Sequence, residues 1–159
     1  MAGGRLYLRT RSGLGIQGLR VSAAELSPNA LYVAVGLGRS LGALSPEGRR
    51  AWVQPTDGPV VAASWAPYPV WIAYVVRIGT THQLRLIEGD GDHDRLMATG
   101  VDPARPHWSA DGTRLYFSKG AAWWAVAPAI GSAPTRSTGC GPGCPSPVPV
   151  AARTLLTGA

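Results

Sequence analysis

The densest group of residues that could do chemistry runs from Asp90 to Asp94, where the sequence reads DGDHD. Acidic side chains at every second position are a pattern that could bind Ca²⁺. An EF-hand calcium loop needs glycine at its sixth position and a bidentate glutamate at its twelfth. Counted from Asp90, those positions hold Arg95 and Val101. The sequence therefore predicts a solvated hairpin turn without a metal, and His93 in that turn is a candidate ligand- or partner-binding residue.

The two cysteines, Cys140 and Cys144, form C-x₃-C in a segment rich in glycine and proline. A structural zinc site needs four ligands, and no second pair of Cys or His lies near them in the sequence. We therefore predict neither a metal nor a cofactor. Two reduced thiols are the expectation for a cytoplasmic protein, whereas an oxidising compartment would allow a disulfide.

No residue pattern indicates a catalytic nucleophile or a phosphate-binding loop. No serine lies in G-x-S-x-G with a histidine and an acid placed to serve it; this holds for Ser27, Ser64, Ser109 and Ser118. The stretch from Gly13 to Gly18 matches G-x-G-x-x-G, but it opens no predicted helix. His82 and His107 are interpreted as ordinary surface residues. The sequence predicts a protein that is not an enzyme.

The adjacent tryptophans Trp123 and Trp124 are the best candidates for an aromatic binding surface. Successive side chains of a strand point to opposite faces, so one of the two rings must face away from the other. A tryptophan combines a large apolar ring with a polar N–H, which suits a partly wet binding surface. We predict that one of this pair contacts a ligand or partner.

Two other tryptophans belong to a repeat. The stretch Ala104–Ser118 reads ARPHWSADGTRLYFS, and weaker copies lie around Leu26 and Trp65. The anchors Leu26, Trp65 and Trp108 are 39 and 43 residues apart. A period of about 40 residues is typical of four-stranded propeller blades. We therefore expect Trp65 and Trp108 to pack between blades.

Composition agrees with an all-β chain, because 21 Gly and 14 Pro are spread between short apolar runs. We predict one strand within residues 1–18, interpreted as the end of a preceding blade. The propeller repeat region is then 19–127, in blades of about 19–56, 57–100 and 101–127, the third lacking a convincing fourth strand. Residues 128–159 are rich in Gly, Pro and Ser and are predicted to form a flexible tail.

The net charge of +6 comes from 14 Arg and one Lys scattered along the chain. Nucleic-acid binding would favour a clustered basic stripe, so we predict no nucleic-acid partner. No run approaches the roughly 20 apolar residues of a membrane span, so no membrane insertion is expected. The first residues lack the apolar core of a signal peptide. We expect a cytoplasmic location if the chain is complete, and the periplasm or cell envelope if it is a fragment of an exported protein.

The repeats resemble WD-repeat-like β-propeller proteins of the TolB type. The resemblance rests on three copies of one pattern, a W-S-P-D-G-like turn followed by a short apolar strand: Trp108–Gly112 with Leu115–Phe117, Trp65–Pro67 with Ile72–Tyr74, and Leu26–Pro28 with Tyr32–Ala34. It implies blades of four antiparallel strands, about two and a half to three here. It also implies a non-catalytic module that binds a protein or peptide partner, in bacteria often in the cell envelope.

Closed propellers have about four to eight blades, so this chain is expected to be a fragment or to associate with copies of itself through open blade edges. Two other functions stay open. Similar propellers cover the α/β-hydrolase domain of prolyl-oligopeptidase-like serine peptidases, in which case the catalytic domain would lie outside this chain. A carbohydrate-binding or hydrolysing propeller would need convergent carboxylates, and the nine acidic residues lie mostly in predicted turns.

Overall fold

The computed structural model describes residues 4–13, 15–68 and 70–140. Within these ranges the chain forms fourteen strands and no helix, and hence no helix that could span a membrane. The strands make three four-stranded antiparallel sheets and one two-stranded hairpin. The all-β fold built from propeller-type blades is confirmed. Most of the predicted tail, residues 141–159, lies outside the described residues.

Each blade consists of four consecutive strands, and each strand pairs with the next along the chain. The chain begins with a hairpin of β1 (Gly4–Tyr7) and β2 (Gln17–Val21). Blade one contains β3 (Ala23–Leu26), β4 (Val33–Gly36), β5 (Ser40–Leu44) and β6 (Arg50–Pro55). Blade two contains β7 (Val60–Trp65), β8 (Trp71–Ile78), β9 (Thr81–Glu88) and β10 (Arg95–Thr99). Blade three contains β11 (His107–Trp108), β12 (Leu115–Lys119), β13 (Ala122–Val126) and β14 (Thr135–Ser137).

Blade three corrects one prediction. Its sheet is completed by β14, whose Thr135 and Arg136 pair with Ala125 and Trp124 of β13. The prediction that no fourth strand follows is therefore wrong, and part of the segment assigned to the tail belongs to the blade. The strand was missed because it is short and polar, so no hydrophobic alternation indicates it.

The N-terminal hairpin packs against blade one. The extended segment that begins blade one in the sequence is interrupted at Ser22, so that β2 pairs with β1 while β3 pairs with β4. Apolar residues of the hairpin and its loop pack against one face of the blade in a single cluster: Ile16 and Val21 with Val33, Val35 and Leu44. The hairpin thus covers the face of blade one that is turned away from blade two.

Blade two is the centre of the packing because both of its faces are buried. Along β8, Ile72 and Tyr74 pack in the cluster shared with blade one, and Ala73 and Val75 pack in the cluster shared with blade three. Successive side chains of a strand point to opposite faces, which explains why this strand is apolar at nearly every position. The buried faces hold the blades in the order of the chain.

One end of the blades carries two turns from each sheet. Strands alternate in direction, so the turn between the first and second strands and the turn between the third and fourth strands lie at the same end of a blade. We call this the turn end. Its turns comprise residues 27–32 and 45–49 in blade one, 66–68, 70 and 89–94 in blade two, and 109–114 and 127–134 in blade three.

Candidate functional site

The sequence repeat corresponds to a repeated hydrogen bond between blades. The indole Nε1–H of Trp65 donates to the carbonyl oxygen of Glu25 at 3.1 Å, and that of Trp108 donates to the carbonyl oxygen of Ser64 at 3.2 Å. Each acceptor immediately precedes the anchor residue of the preceding blade. Trp65 and Trp108 also pack in the clusters between blades. The prediction that these two rings pack between blades is therefore confirmed.

The side chain of Glu25 ties together blades one to three. One carboxylate oxygen accepts the backbone N–H of Trp65 at 3.4 Å, and the other forms an ion pair with Arg105 at 2.5 Å. Burial raises the pKa of Glu25, and the nearby guanidinium of Arg105 opposes that shift. Because Arg105 lies just before blade three, this carboxylate helps to set the positions of the first strands of all the blades.

At the turn end, Trp52 of blade one lies against the turn between β9 and β10 of blade two. Its indole Nε1–H donates to the carbonyl oxygen of Gly89 at 2.7 Å. Gly91 has φ of +96°, and a Cβ at this position would lie 2.8 Å from Cδ2 of Trp52. A Cβ would therefore have to displace the ring, and the close approach of ring and turn depends on glycine.

A groove opens beside this contact, between the turns of blades one and two. It has a volume of about 410 Å³ and is lined by Asn29, Tyr32, Ala51, Trp52, Trp65, Gly89 and Asp90. Asp90 is the only charged residue of this lining. Tyr32 is 39% exposed, so part of its surface is available to a ligand. The groove is the candidate functional site.

The rim of the groove exposes further apolar surface. Leu31 is 60% exposed, and Val70 is 54% exposed. Leu31 precedes Tyr32 in the chain, and the carbonyl oxygen of Val70 accepts the backbone N–H of Gly89 at 2.8 Å, so both residues adjoin the lining. Exposed apolar residues next to a groove are typical of sites that bind a partner.

The turn that carries Tyr32 is held by its own polar side chains. The hydroxyl of Ser27 donates to Oδ1 of Asn29 at 2.7 Å and accepts the backbone N–H of Tyr32 at 3.0 Å. Oδ1 of Asn29 also accepts the backbone N–H of Leu31 at 3.1 Å. These contacts fix the backbone on both sides of Tyr32 and so position its ring at the mouth of the groove.

Blade three repeats this turn with an acid in place of the amide. The hydroxyl of Ser109 donates to Oδ1 of Asp111 at 2.6 Å, and the same oxygen accepts the backbone N–H and the hydroxyl of Thr113. The hydrogen bond from Ser109, supported by those from Thr113, lowers the pKa of Asp111 to about 2. In blade two the corresponding turn begins Ala66-Pro67-Tyr68 and offers no side chains for this network.

The structure does not bring together the three residues predicted to bind a partner. His93 lies at the turn end with φ of +54°, and its exposed ring lies 3.3 Å from a carboxylate oxygen of Glu88. Trp123 and Trp124 lie in β13 close to the turn at the opposite end of blade three. Their role in binding stays a prediction.

The two adjacent tryptophans occupy opposite faces of β13, as their alternation requires. Trp123 is buried and makes an edge-to-face contact with His107, with ring centroids 5.7 Å apart. Burial, followed by the positive charge of Arg105, lowers the pKa of His107. Trp124 packs against the cluster between blades two and three, and Nζ of Lys119 lies 5.7 Å from its ring centroid. Neither ring is among the large hydrophobic side chains that the described part of the chain exposes.

Sequence reasoning missed Tyr32, Trp52 and Asp90 as residues of one site. A signal was present for Trp52, because the fourth strand of a blade is the outermost, and a large aromatic there needs a neighbour to cover it. The sequence indicates Tyr32 only as part of the repeat pattern and Asp90 only as part of a solvated hairpin turn. Nothing in the sequence shows that the three lie side by side.

The acidic run is a hydrogen-bonded turn. Asp94 accepts the hydroxyl of the buried Tyr74 at 2.7 Å and pairs with Arg85 at 2.8 Å, and Asp90 accepts the backbone N–H of Asp92 at 3.1 Å. Burial, followed by the hydrogen bond to Asp94, raises the pKa of Tyr74. Among the described residues no three His, Cys, Asp or Glu side chains are grouped to hold a metal ion.

Cys140 is buried and disulfide-bonded. The sequence left its redox state open, with two reduced thiols as the expectation for a cytoplasmic protein. The structure shows the oxidised state, with Cys140 in a disulfide. Cys144 lies outside the described residues.

No protein-family model and no curated protein matches the sequence. The fold is similar to that of a Bacteroides fragilis protein provisionally named a 6-phosphogluconolactonase, with a TM-score of 0.55, 8% identity, and 72% of this chain matched to 37% of that one. It is also similar to KlHsv2 with loop 6CD replaced by a Gly-Ser linker, with a TM-score of 0.52, 11% identity, and 74% of this chain matched to 38% of that one.

These similarities show the fold, which is that of β-propeller blades. The chain spans less than two fifths of the length of either solved structure.

Proposed function

We propose that this chain is a non-catalytic binding module of the TolB-like propeller type, and that its groove between blades one and two binds a peptide segment of a protein partner. The observation that carries the proposal is the groove itself, with the partly exposed ring of Tyr32 at its mouth and Trp52 in its wall. The resemblance of the repeats to TolB-type propellers supports a protein or peptide partner.

The size and chemistry of the groove suit a peptide. Its volume of about 410 Å³ lies within the usual range of ligand sites, roughly 300–1,000 Å³, and takes a few side chains. Tyrosine and tryptophan are enriched among the residues that dominate binding energy at protein interfaces. The exposed Leu31 and Val70 extend the apolar surface beyond the groove, as an extended peptide would require.

The lining supports binding in preference to catalysis. Asp90 is its only carboxylate, and a hydrolytic site needs a nucleophile, a base and a group that orients the base within hydrogen-bond reach of one another. The disulfide at Cys140 supports an oxidising compartment, which agrees with the cell-envelope location that TolB-type proteins often have.

The proposal is tested by selecting peptides from a random library displayed on phage against the purified chain. We expect a family of related peptides whose affinity falls at least about tenfold in Tyr32→Ala, because truncating an aromatic hot-spot residue costs about 2 kcal/mol or more. The matched control is Tyr7→Ala, which removes a tyrosine that is 62% exposed on the N-terminal hairpin. It should bind the peptides like the unmodified chain. The proposal is wrong if no peptide is enriched, or if both variants bind equally well.

A further inference from the structure

We infer that the groove recognises a cationic side chain, arginine or lysine, in the peptide it binds. This inference rests on the proposed peptide-binding function and names the residue class that the groove selects. Two observations carry it: the negative charge of the groove lining in a chain of positive net charge, and the hydrogen bonds that the lining residues already make.

The charge of the groove is opposite to that of the chain. Basic residues outnumber acidic ones by 15 to 9, yet the only charged residue that lines the groove is the carboxylate of Asp90. The same turn carries the exposed carboxylate of Asp92. Arg50 precedes the lining residue Ala51 in strand β6. It lines a different cavity, which lies between the N-terminal hairpin and blade one. A cation entering the groove therefore meets a carboxylate and no positively charged side chain among the lining residues.

Both indole N–H donors of the lining are already in use. The indole of Trp52 donates to Gly89, and the indole of Trp65 donates to Glu25. An anionic ligand would thus find neither indole N–H free to bind it. The carboxylate of Asp90 accepts one backbone N–H, from Asp92, through Oδ1. That bond orients the carboxylate, and an ionised carboxylate has acceptor capacity for a further charged donor.

The aromatic lining suits the rest of such a side chain. Arginine and lysine bury their methylene stems along apolar surface while the charged head reaches a polar partner. A guanidinium or ammonium group is also attracted to the face of an aromatic ring within about 6 Å of its centroid. The ring of Tyr32 is partly exposed at the mouth and Asp90 lies in the same lining, so one side chain could contact both.

The test is an NMR titration of the ¹⁵N-labelled chain with the tripeptide N-acetyl-Gly-Arg-Gly-amide. The indole N–H of Trp52 is the reporter, since it lies in the lining and has a defined acceptor. A second titration uses the citrulline analogue, which has the shape of arginine without its charge. We expect the arginine peptide to shift this resonance saturably and the citrulline peptide to bind at least about fivefold more weakly, as loss of a partly exposed ion pair with an aromatic contact predicts.

Two variants test whether the preference for the arginine peptide depends on the carboxylate of Asp90. Asp90→Asn removes the charge but keeps an oxygen for the N–H of Asp92, and it should weaken the arginine peptide about fivefold. Asp92→Asn makes the same change in net charge on the same turn, outside the lining, and should leave the affinity within about twofold. Equal binding of arginine and citrulline peptides, no shift with either peptide, or equal effects of the two variants would each overturn the inference.

This outcome is separable from failure of the proposed function. Peptides that are selected from the library, depend on Tyr32 and contain neither arginine nor lysine would leave peptide binding intact and overturn only the preference for a cation. Absence of any selected peptide would overturn both.

Discussion

The two interfaces between blades share their anchor hydrogen bond and differ in their contacts at the turn end. In both, an anchor tryptophan donates its indole N–H to the backbone of the preceding blade. Away from the anchors they diverge. Between blades one and two, the ring of Trp52 lies against the Gly91 turn. Between blades two and three, the guanidinium of Arg95 donates to the carbonyl oxygen of Pro128, and it lies 4.4 Å from the ring centroid of Trp71 in its own blade.

The difference indicates where the repeat is free to vary. The anchor contact recurs because it joins the first strands of neighbouring blades, where the backbone geometry repeats. The contacts at the turn end join segments that need not repeat, so they can be remodelled without disturbing the stack. Between blades one and two this remodelling leaves a groove. Between blades two and three, Cδ2 of Tyr68 lies 3.6 Å from the position that a Cβ at Gly112 would occupy.

The largest expected effect breaks an anchor. Trp65 is 4% exposed and Trp108 is half-buried, so Trp65→Ala should lower the free energy of unfolding by about 4 kcal/mol, and Trp108→Ala by less, because truncating a fully buried aromatic leaves the larger cavity. Urea denaturation followed by circular dichroism measures both. Trp65→Phe should recover most of the loss, since it gives up mainly the hydrogen bond to Glu25, worth about 1 kcal/mol. Equal losses in the two alanine variants would contradict the unequal burial of the two anchors.

The next effect tests the contact of Trp52 with the Gly91 turn. Gly91→Ala forces a left-handed alanine and places its Cβ against the Trp52 ring, so it should cost about 2–3 kcal/mol in the free energy of unfolding. The matched control is Gly79→Ala: Gly79 has φ of +58° and nothing within 4 Å of an added Cβ. It carries only the backbone cost of about 1 kcal/mol. Chemical denaturation compares them, and a cost for Gly91→Ala no greater than that of the control would show that the ring moves aside freely.

Much of the fold could be predicted because its signals are local. Strands β7 (Val60–Trp65) and β8 (Trp71–Ile78) are apolar runs that follow turn residues, which is a signal that the sequence itself carries. The break at Ser22 and the polar strand β14 could not be predicted, because they depend on which strand lies alongside.

The candidate site depends still more on long-range packing. Tyr32 belongs to blade one and Asp90 to blade two. Trp52 of blade one contacts blade two through its hydrogen bond to Gly89, which is 37 residues away in sequence. The sequence indicated Gly91, which lies against the Trp52 ring, only as a turn residue. That a tryptophan ring occupies the space of the missing side chain follows from the stacking of the blades, which no local pattern contains.

The smallest effect uses two turns that share one geometry. Asn29 in blade one and Asp111 in blade three each accept a serine hydroxyl and a backbone N–H through Oδ1, but only Asp111 titrates. The hydrogen bond from Ser109 lowers its pKa from 3.8 to about 2 in the folded chain. Its contribution to stability is therefore present above about pH 4 and is lost as the pH falls from about 4 to about 2.

Exchanging the two side chains should move this pH dependence from one blade to the other. Asp111→Asn keeps the acceptor oxygen without the titration, so its melting temperature should fall less than that of the unmodified chain between about pH 4 and pH 2. Asn29→Asp places an acid in the matching turn, where the hydroxyl of Ser27 and the N–H of Leu31 stabilise the ionised form. The melting temperature of this variant should therefore fall more than that of the unmodified chain over the same pH interval. Differential scanning calorimetry at a series of pH values measures both slopes. If both variants keep the slope of the unmodified chain, these turns do not contribute to acid sensitivity, and their shared hydrogen bonds serve only to shape the backbone of the two turns.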